Sequence, residues 1–68
     1  MKGLAFSSMR VGKRYRIINY GEKTEFVLKE VLPRSDFRLK DIFSLEEYLM
    51  SDLIQFGKGE DFELREIQ

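Results

Sequence analysis

Apolar side chains recur at every second position in four short stretches of the chain, and turn-forming residues separate the stretches. In "KRYRIINY", Tyr15 and Ile17 fall on one side while Arg14, Arg16 and Ile18 fall on the other. In "TEFVLKEVL", Phe26 and Leu28 share a side and Val27, Lys29 and Val31 oppose them. "DFRLKD" alternates Phe37 and Leu39 with Arg38 and Lys40, and "DFELREI" alternates Phe62 and Leu64 with Glu63 and Arg65. A period of two with β-branched and aromatic residues predicts half-buried strands. Gly12, "YGEK" at 20–23, "LPRSD" at 32–36 and "FGKGED" at 56–61 punctuate them. Pro33 has no N–H to give a sheet and its ring fixes φ for a turn, so the second and third strands read as a hairpin. Gly57 and Gly59 bracket Lys58 in a stretch able to take positive φ, which suits a tight reversal before the last strand.

Residues 44–56 have two readings. As a helix, Leu45, Tyr48, Leu49, Leu53 and Phe56 make one apolar face, and Ser44 with Glu47 has the form of a capping box. As a strand, "EYLMSDL" returns from a turn at "FSLE" with Tyr48 and Met50 on one face, and "SDLIQFG" then makes a helical turn. Four strands alone leave an uncovered face and unpaired edges. A helix over 44–56 would cover the sheet in an α+β fold, whereas a fifth strand would let the sheet curl into a barrel.

The succession of Gly12, "RYRI", a charged loop, "EFVLKEVLPRSDFRLKDI", "SLEEYLMSDLI" and a closing "DFELREI" resembles the strand order of small SH3-like barrels of the Tudor or KOW kind, over residues 11–67. The resemblance implies a mainly β fold, a five-stranded SH3-like barrel with a short helical turn near 51–56. The alternative is the four-stranded α+β sheet with a helix at 44–56. In such a barrel the first and last strands are neighbours, which would put Arg14 and Arg16 near Glu63 and Glu66. Residues 11–68 read as one domain, and 1–10 as a loose N-terminal segment.

Composition narrows the chemistry. The chain has 68 residues with no cysteine and no histidine, so a small apolar core must hold it together without disulfides or the usual zinc ligands. A Ser-His-Asp or Cys-His centre cannot be built, and the expectation is a non-enzyme without cofactor or metal. Acidic residues are numerous, but their spacing matches no calcium loop, and "FGKGED" lacks the phosphate-wrapping framework. No apolar run is long enough for a membrane span, and "MKGLAFSSM" lacks the apolar centre of a secretory signal, so the expected location is the cytoplasm. The formal charge is zero but unevenly spread. Residues 1–20 carry five cations and no acid, and residues 41–68 carry eight acids against two cations.

Binding is the function class left. A protein partner, or a second copy of the chain, would be met by Ile18, Leu49, Ile54 and Ile67 if they gather on one surface. RNA or single-stranded DNA is the alternative: Arg14, Tyr15, Arg16, Arg38 and Lys40 supply cations and a ring, although the pI of about 6.2 is low for that role. The Tudor resemblance implies a third set, an aromatic cage of Tyr20, Tyr48 and Phe56 with Asp52 beside it.

Overall fold

The stretches of period two become strands, and the punctuating turns set their order. The computed structural model describes residues 4–67. Five antiparallel strands, β1 (Arg14–Asn19), β2 (Glu22–Leu32), β3 (Asp36–Asp41), β4 (Glu47–Leu49) and β5 (Glu63–Ile67), form one sheet in the order β4-β3-β2-β1-β5. Short 3₁₀ turns occupy Phe6–Ser8 and Pro33–Ser35, and one helical turn, α1 (Met50–Leu53), follows β4. The fold is mainly β. The ambiguous stretch is strand and turn, since Lys40 stands opposite Glu47, Leu39 opposite Tyr48 and Arg38 opposite Leu49.

The sheet stays open, which corrects the expectation of a closed barrel. Among the described residues β4 pairs only with β3, and β5 only with β1. The reason lies at Met50, where β4 ends after three residues and the backbone turns into α1. The Asp36 carboxylate at the head of β3 accepts hydrogen bonds from the Ser51 N–H at 3.1 Å and the Ser51 hydroxyl at 2.8 Å. That holds α1 against β3 and sends the Met50 side chain into the core. Chain that would have carried β4 onward covers apolar surface instead.

The core lies on the face made by Tyr15, Ile17, Phe26, Leu28, Phe37, Leu39 and Leu64, the alternating positions read from the sequence. Met9 and Met50 complete it, and Phe6, Tyr48, Leu53, Ile54 and Phe62 pack at its margin. Within the segment expected to be loose, Met9 is buried in this core and Phe6 packs at its margin, while Leu4, Ala5, Ser7, Ser8 and Arg10 are exposed. The Leu4 N–H bonds the Leu64 carbonyl at 2.7 Å, and the Phe6 ring meets Phe37 and Phe62 edge to face at 6.0 and 5.8 Å. The Lys58 ammonium sits 4.5 Å over Phe6 and 4.9 Å over Phe62, a cation–π contact that ties the loop before β5 to this segment. The part of the expected loose segment at residues 1–3 lies outside the described residues.

The β1–β2 hairpin turns on two residues, Tyr20 (φ 51°) and Gly21 (φ 77°), in the left-handed geometry that matches strand twist. An L-residue such as Tyr20 adopts it at a cost of about 1 kcal/mol. The Asp61 carboxylate offsets that cost by accepting both turn N–H groups, from Tyr20 at 2.8 Å and Gly21 at 2.7 Å. Asn19, buried to 9 % exposure, donates to the Gly57 carbonyl and accepts from the Gly59 N–H, while the Tyr20 hydroxyl donates to the Phe56 carbonyl. Of the two loop glycines only Gly57 takes positive φ, at 89°. Gly59 is required by closeness: a Cβ there would lie 2.9 Å from the Tyr20 ring and 3.0 Å from an Asp61 oxygen.

Gly59→Ala is expected to destabilise the fold by about 1–3 kcal/mol in urea unfolding, because Tyr20 and Asp61 hold each other in the space the methyl needs. Hydrogen bonds from Gly21 and then Tyr20 hold the Asp61 carboxyl below its ordinary 3.8. Ser44 and Phe43 amides do the same for Asp41. At Asp36 partial desolvation acts upward, but bonds from Phe37 and Ser51 together outweigh it. A carboxyl lowered in the folded state adds stability that is complete above its unfolded pKa and is lost as pH falls through the folded value. Unfolding free energy should therefore vary little through these groups above about pH 5 and fall below about pH 4. Asp61→Asn should be less stable at neutral pH and show a shallower acid decline.

Candidate interaction surface

Side chains on the face of the sheet opposite the core fall into cross-strand rows. One row runs Ile67, Arg14, Val27, Lys40, Glu47 across all five strands. The next holds Arg65, Arg16 and Glu25, another holds Glu63, Ile18 and Lys23, and on the other side Arg38 stands between Glu30 and Leu49. β1 and β5 are neighbours as expected, but the register brings Arg14 to Ile67 and Arg16 to Arg65, so the arginines do not face Glu63 and Glu66. Arg16 finds its counter-charge on β2, at 3.6 Å from Glu25, and Arg65 finds Glu63 at 3.0 Å on its own strand.

The β2–β3 ladder skips one residue between Leu28 and Glu30, which leaves Lys29 as a bulge. The slip turns Glu30 to the outer face, where it bonds Arg38 at 3.1 Å, and carries Val31 round to stand opposite Phe37. Among the described residues Lys29, Arg14 and Lys40 keep no ion pair. These three cations converge on a groove of about 390 Å³ whose apolar lining is Val27, Ile42 and Leu45.

One wall of the groove is the β3–β4 turn. Asp41 organises it: one carboxylate oxygen accepts from the N–H of Phe43 at 2.7 Å and of Ser44 at 2.9 Å, and the Asp41 carbonyl accepts from the Leu45 N–H. Ile42 is joined to β2 through its N–H on the Glu25 carbonyl. The braced turn leaves Phe43 76 % exposed and Leu45 64 % exposed, the latter at φ 64°. Leucine in the left-handed region is strained, and here burial gives nothing in return. Asp41 also lines the groove, with its charge turned to the turn amides.

Arg14, Arg16, Arg38 and Lys40 all reach the outer face, but Tyr15 does not. It is 1 % exposed, and its hydroxyl accepts from the Arg10 N–H at 2.7 Å, so no base can stack on it. Ile18, Leu49 and Ile67 share the outer face in three separate rows and are half-buried, while Ile54 lies by Pro33, Met50 and Phe6. They form no common patch. Tyr20, Phe56 and Asp52 line one pocket of about 270 Å³ together with Glu22. Tyr48 is not with them, because its position opposite Leu39 packs the ring at the core margin. Its hydroxyl is buried without a hydrogen bond of good geometry, and burial, then the neighbouring Asp41 charge, pushes it up to about 12. Tyr20 and Asp52 have structural partners as well, Tyr20 in the hairpin turn and Asp52 accepting from the Leu49 N–H at 3.2 Å.

Ile42, Phe43 and Leu45 carry no contact role in the reading of the sequence, and Lys29 enters it only as one more cation of β2. Two apolar residues in a four-residue turn, "FSLE", are the signal that would have found Phe43 and Leu45, since a turn has no core to supply. No helix of the described residues is long and apolar enough to cross a membrane. No known protein family, curated protein or solved structure matches the chain.

If Leu45 is held in strain for its exposed side chain, Leu45→Gly should stabilise the fold by up to about 1 kcal/mol. Leu45→Ala, which keeps the Cβ, should give no such gain. Thermal and urea unfolding of the two variants checks this.

Proposed function

We propose that the chain is a non-catalytic interaction module whose contact surface is the β3–β4 turn and the groove beside it, and that its partner is another protein. The observation that carries this reading is the exposure of Phe43 and Leu45 on a turn pinned by Asp41. Side chains held on a rigid turn lose little entropy on docking, and aromatic ones such as Phe43 are enriched in protein contacts. The cytoplasm is the compartment proposed for it, in keeping with the cysteine-free composition.

A second reading, single-stranded nucleic acid, is supported by the gathering of Arg14, Arg16, Arg38 and Lys40 on one face. Against it, the rows of that face contain no aromatic side chain on which a base would stack, and two of the four cations are spent on Glu25 and Glu30.

Affinity capture from cells of the source organism, quantified by mass spectrometry, tests the first reading. Wild-type chain is expected to retain proteins that the Phe43→Ser, Leu45→Ser double variant loses at unchanged circular dichroism. Identical retained sets would overturn it. Salt-sensitive binding of a labelled oligo-dT by both forms alike would favour the second reading.

A further inference from the structure

We infer that the groove between β1, β2, β3 and the β3–β4 turn receives an acidic, aliphatic segment of a partner chain, a carboxylate on each side of a branched apolar residue. The inference rests on the interaction-module reading and adds the chemistry of what is bound.

Charge is the first ground. Among the described residues Arg14, Lys29 and Lys40 border the groove without an ion pair, whereas Arg16, Arg38 and Arg65 each have one. The one acid in the lining, Asp41, directs an oxygen to two turn amides. Glu47 stands opposite Lys40 on β4 without closing an ion pair, so the three cations leave the groove a net positive border that attracts carboxylates and repels basic segments.

The floor is the second ground. Val27, Ile42 and Leu45 are aliphatic, so the floor between the cations takes an aliphatic side chain, and the exposed Phe43 ring lies on the turn outside that lining. This separates an acidic peptide from a nucleic-acid strand, which would use the same cations.

Spacing is the third. Arg14 and Lys40 are both cross-strand partners of Val27, one on either side. Adjacent strands lie about 4.8 Å apart, so the two backbones are about 10 Å apart with Val27 midway. An extended chain advances about 3.3 Å per residue and turns every second side chain the same way, so carboxylates four positions apart, about 13 Å, reach the long Arg14 and Lys40 side chains while the residue midway between them meets Val27. The Lys29 bulge adds a third cation on the same side, supplied by a residue that the ladder leaves unpaired.

Titration of the isotope-labelled full chain, followed by amide chemical shifts, tests the assignment. The probe is a blocked peptide with leucine set among aspartates and glutamates, and its control carries asparagine and glutamine in their place. The acidic peptide is expected to shift Val27, Lys40, Ile42 and Leu45 saturably, and to bind more weakly as salt rises. Lys29→Glu, at an exposed bulge, should weaken it about two- to fivefold or more, and Arg14→Gln should act in the same direction. Equal binding of the control peptide would overturn the acidic assignment and leave the interaction module standing. Tighter binding of oligo-dT at the same amides would overturn it in favour of nucleic acid. Shifts that appear on raising protein concentration alone would overturn it in favour of a second copy. No response to any peptide would also overturn it, and loss of captured proteins by the Phe43, Leu45 variant would then show that the module reading had survived.

Discussion

The structure depends on one carboxylate placed between two distant segments. Asp61 lies just before the last strand and binds both amides of the turn between the first two, at 2.7 and 2.8 Å. Through that contact, with Asn19 and the Tyr20 hydroxyl beside it, a long glycine-containing loop is fixed to the hairpin tip. β5 can then begin in register beside β1. A core of nine buried apolar residues is small, and no cysteine is available to close loops covalently. Polar contacts of long sequence separation therefore do the joining that a disulfide does in many domains of this size.

Two other aspartates work the same way. Asp36 holds α1 to the head of β3, and Asp41 folds the β3–β4 turn. All three carboxylates accept backbone N–H groups in turns, where donors have no ladder partner. The acid-rich half of the chain is thus partly a set of turn fasteners, and its negative charge should not be read as a binding feature in its entirety.

Strand identity and facing were legible because a period of two leaves little freedom. Tyr15, Ile17, Phe26, Leu28, Phe37, Leu39 and Leu64 were all placed inward by alternation, and all are buried. The return of β3 into β4 did not follow from the need to cover a sheet, which a helix over 44–56 would also meet; it was implied by the likeness to five-stranded barrels. Closure did not follow, since nothing local to "EYLM" says that Met50 will leave the strand for the core. The candidate site was legible in part. Alternation put Arg14 and Arg16, and likewise Arg38 and Lys40, on the side away from the core residues of their strands, whereas Tyr15 was named a contact for standing between two cations in the chain, against the alternation that turns it the other way. The bulge at Lys29 was invisible because it arises from the β2–β3 register and not from either strand alone. Positive φ at Leu45 was equally hidden, as a leucine gives no hint of it.

An open sheet has two rims on which a foreign strand can grow, and this chain treats them differently. On β5 the Leu64 carbonyl is already taken by the Leu4 N–H, so the rim is blunted by the molecule's own leading segment. β4 offers only three residues before the backbone curls away. Neither rim presents a long flat template for runaway strand stacking, the route by which exposed sheets polymerise. The same early exit of the chain at Met50 that forgoes a barrel thus also guards the protein against fibre growth.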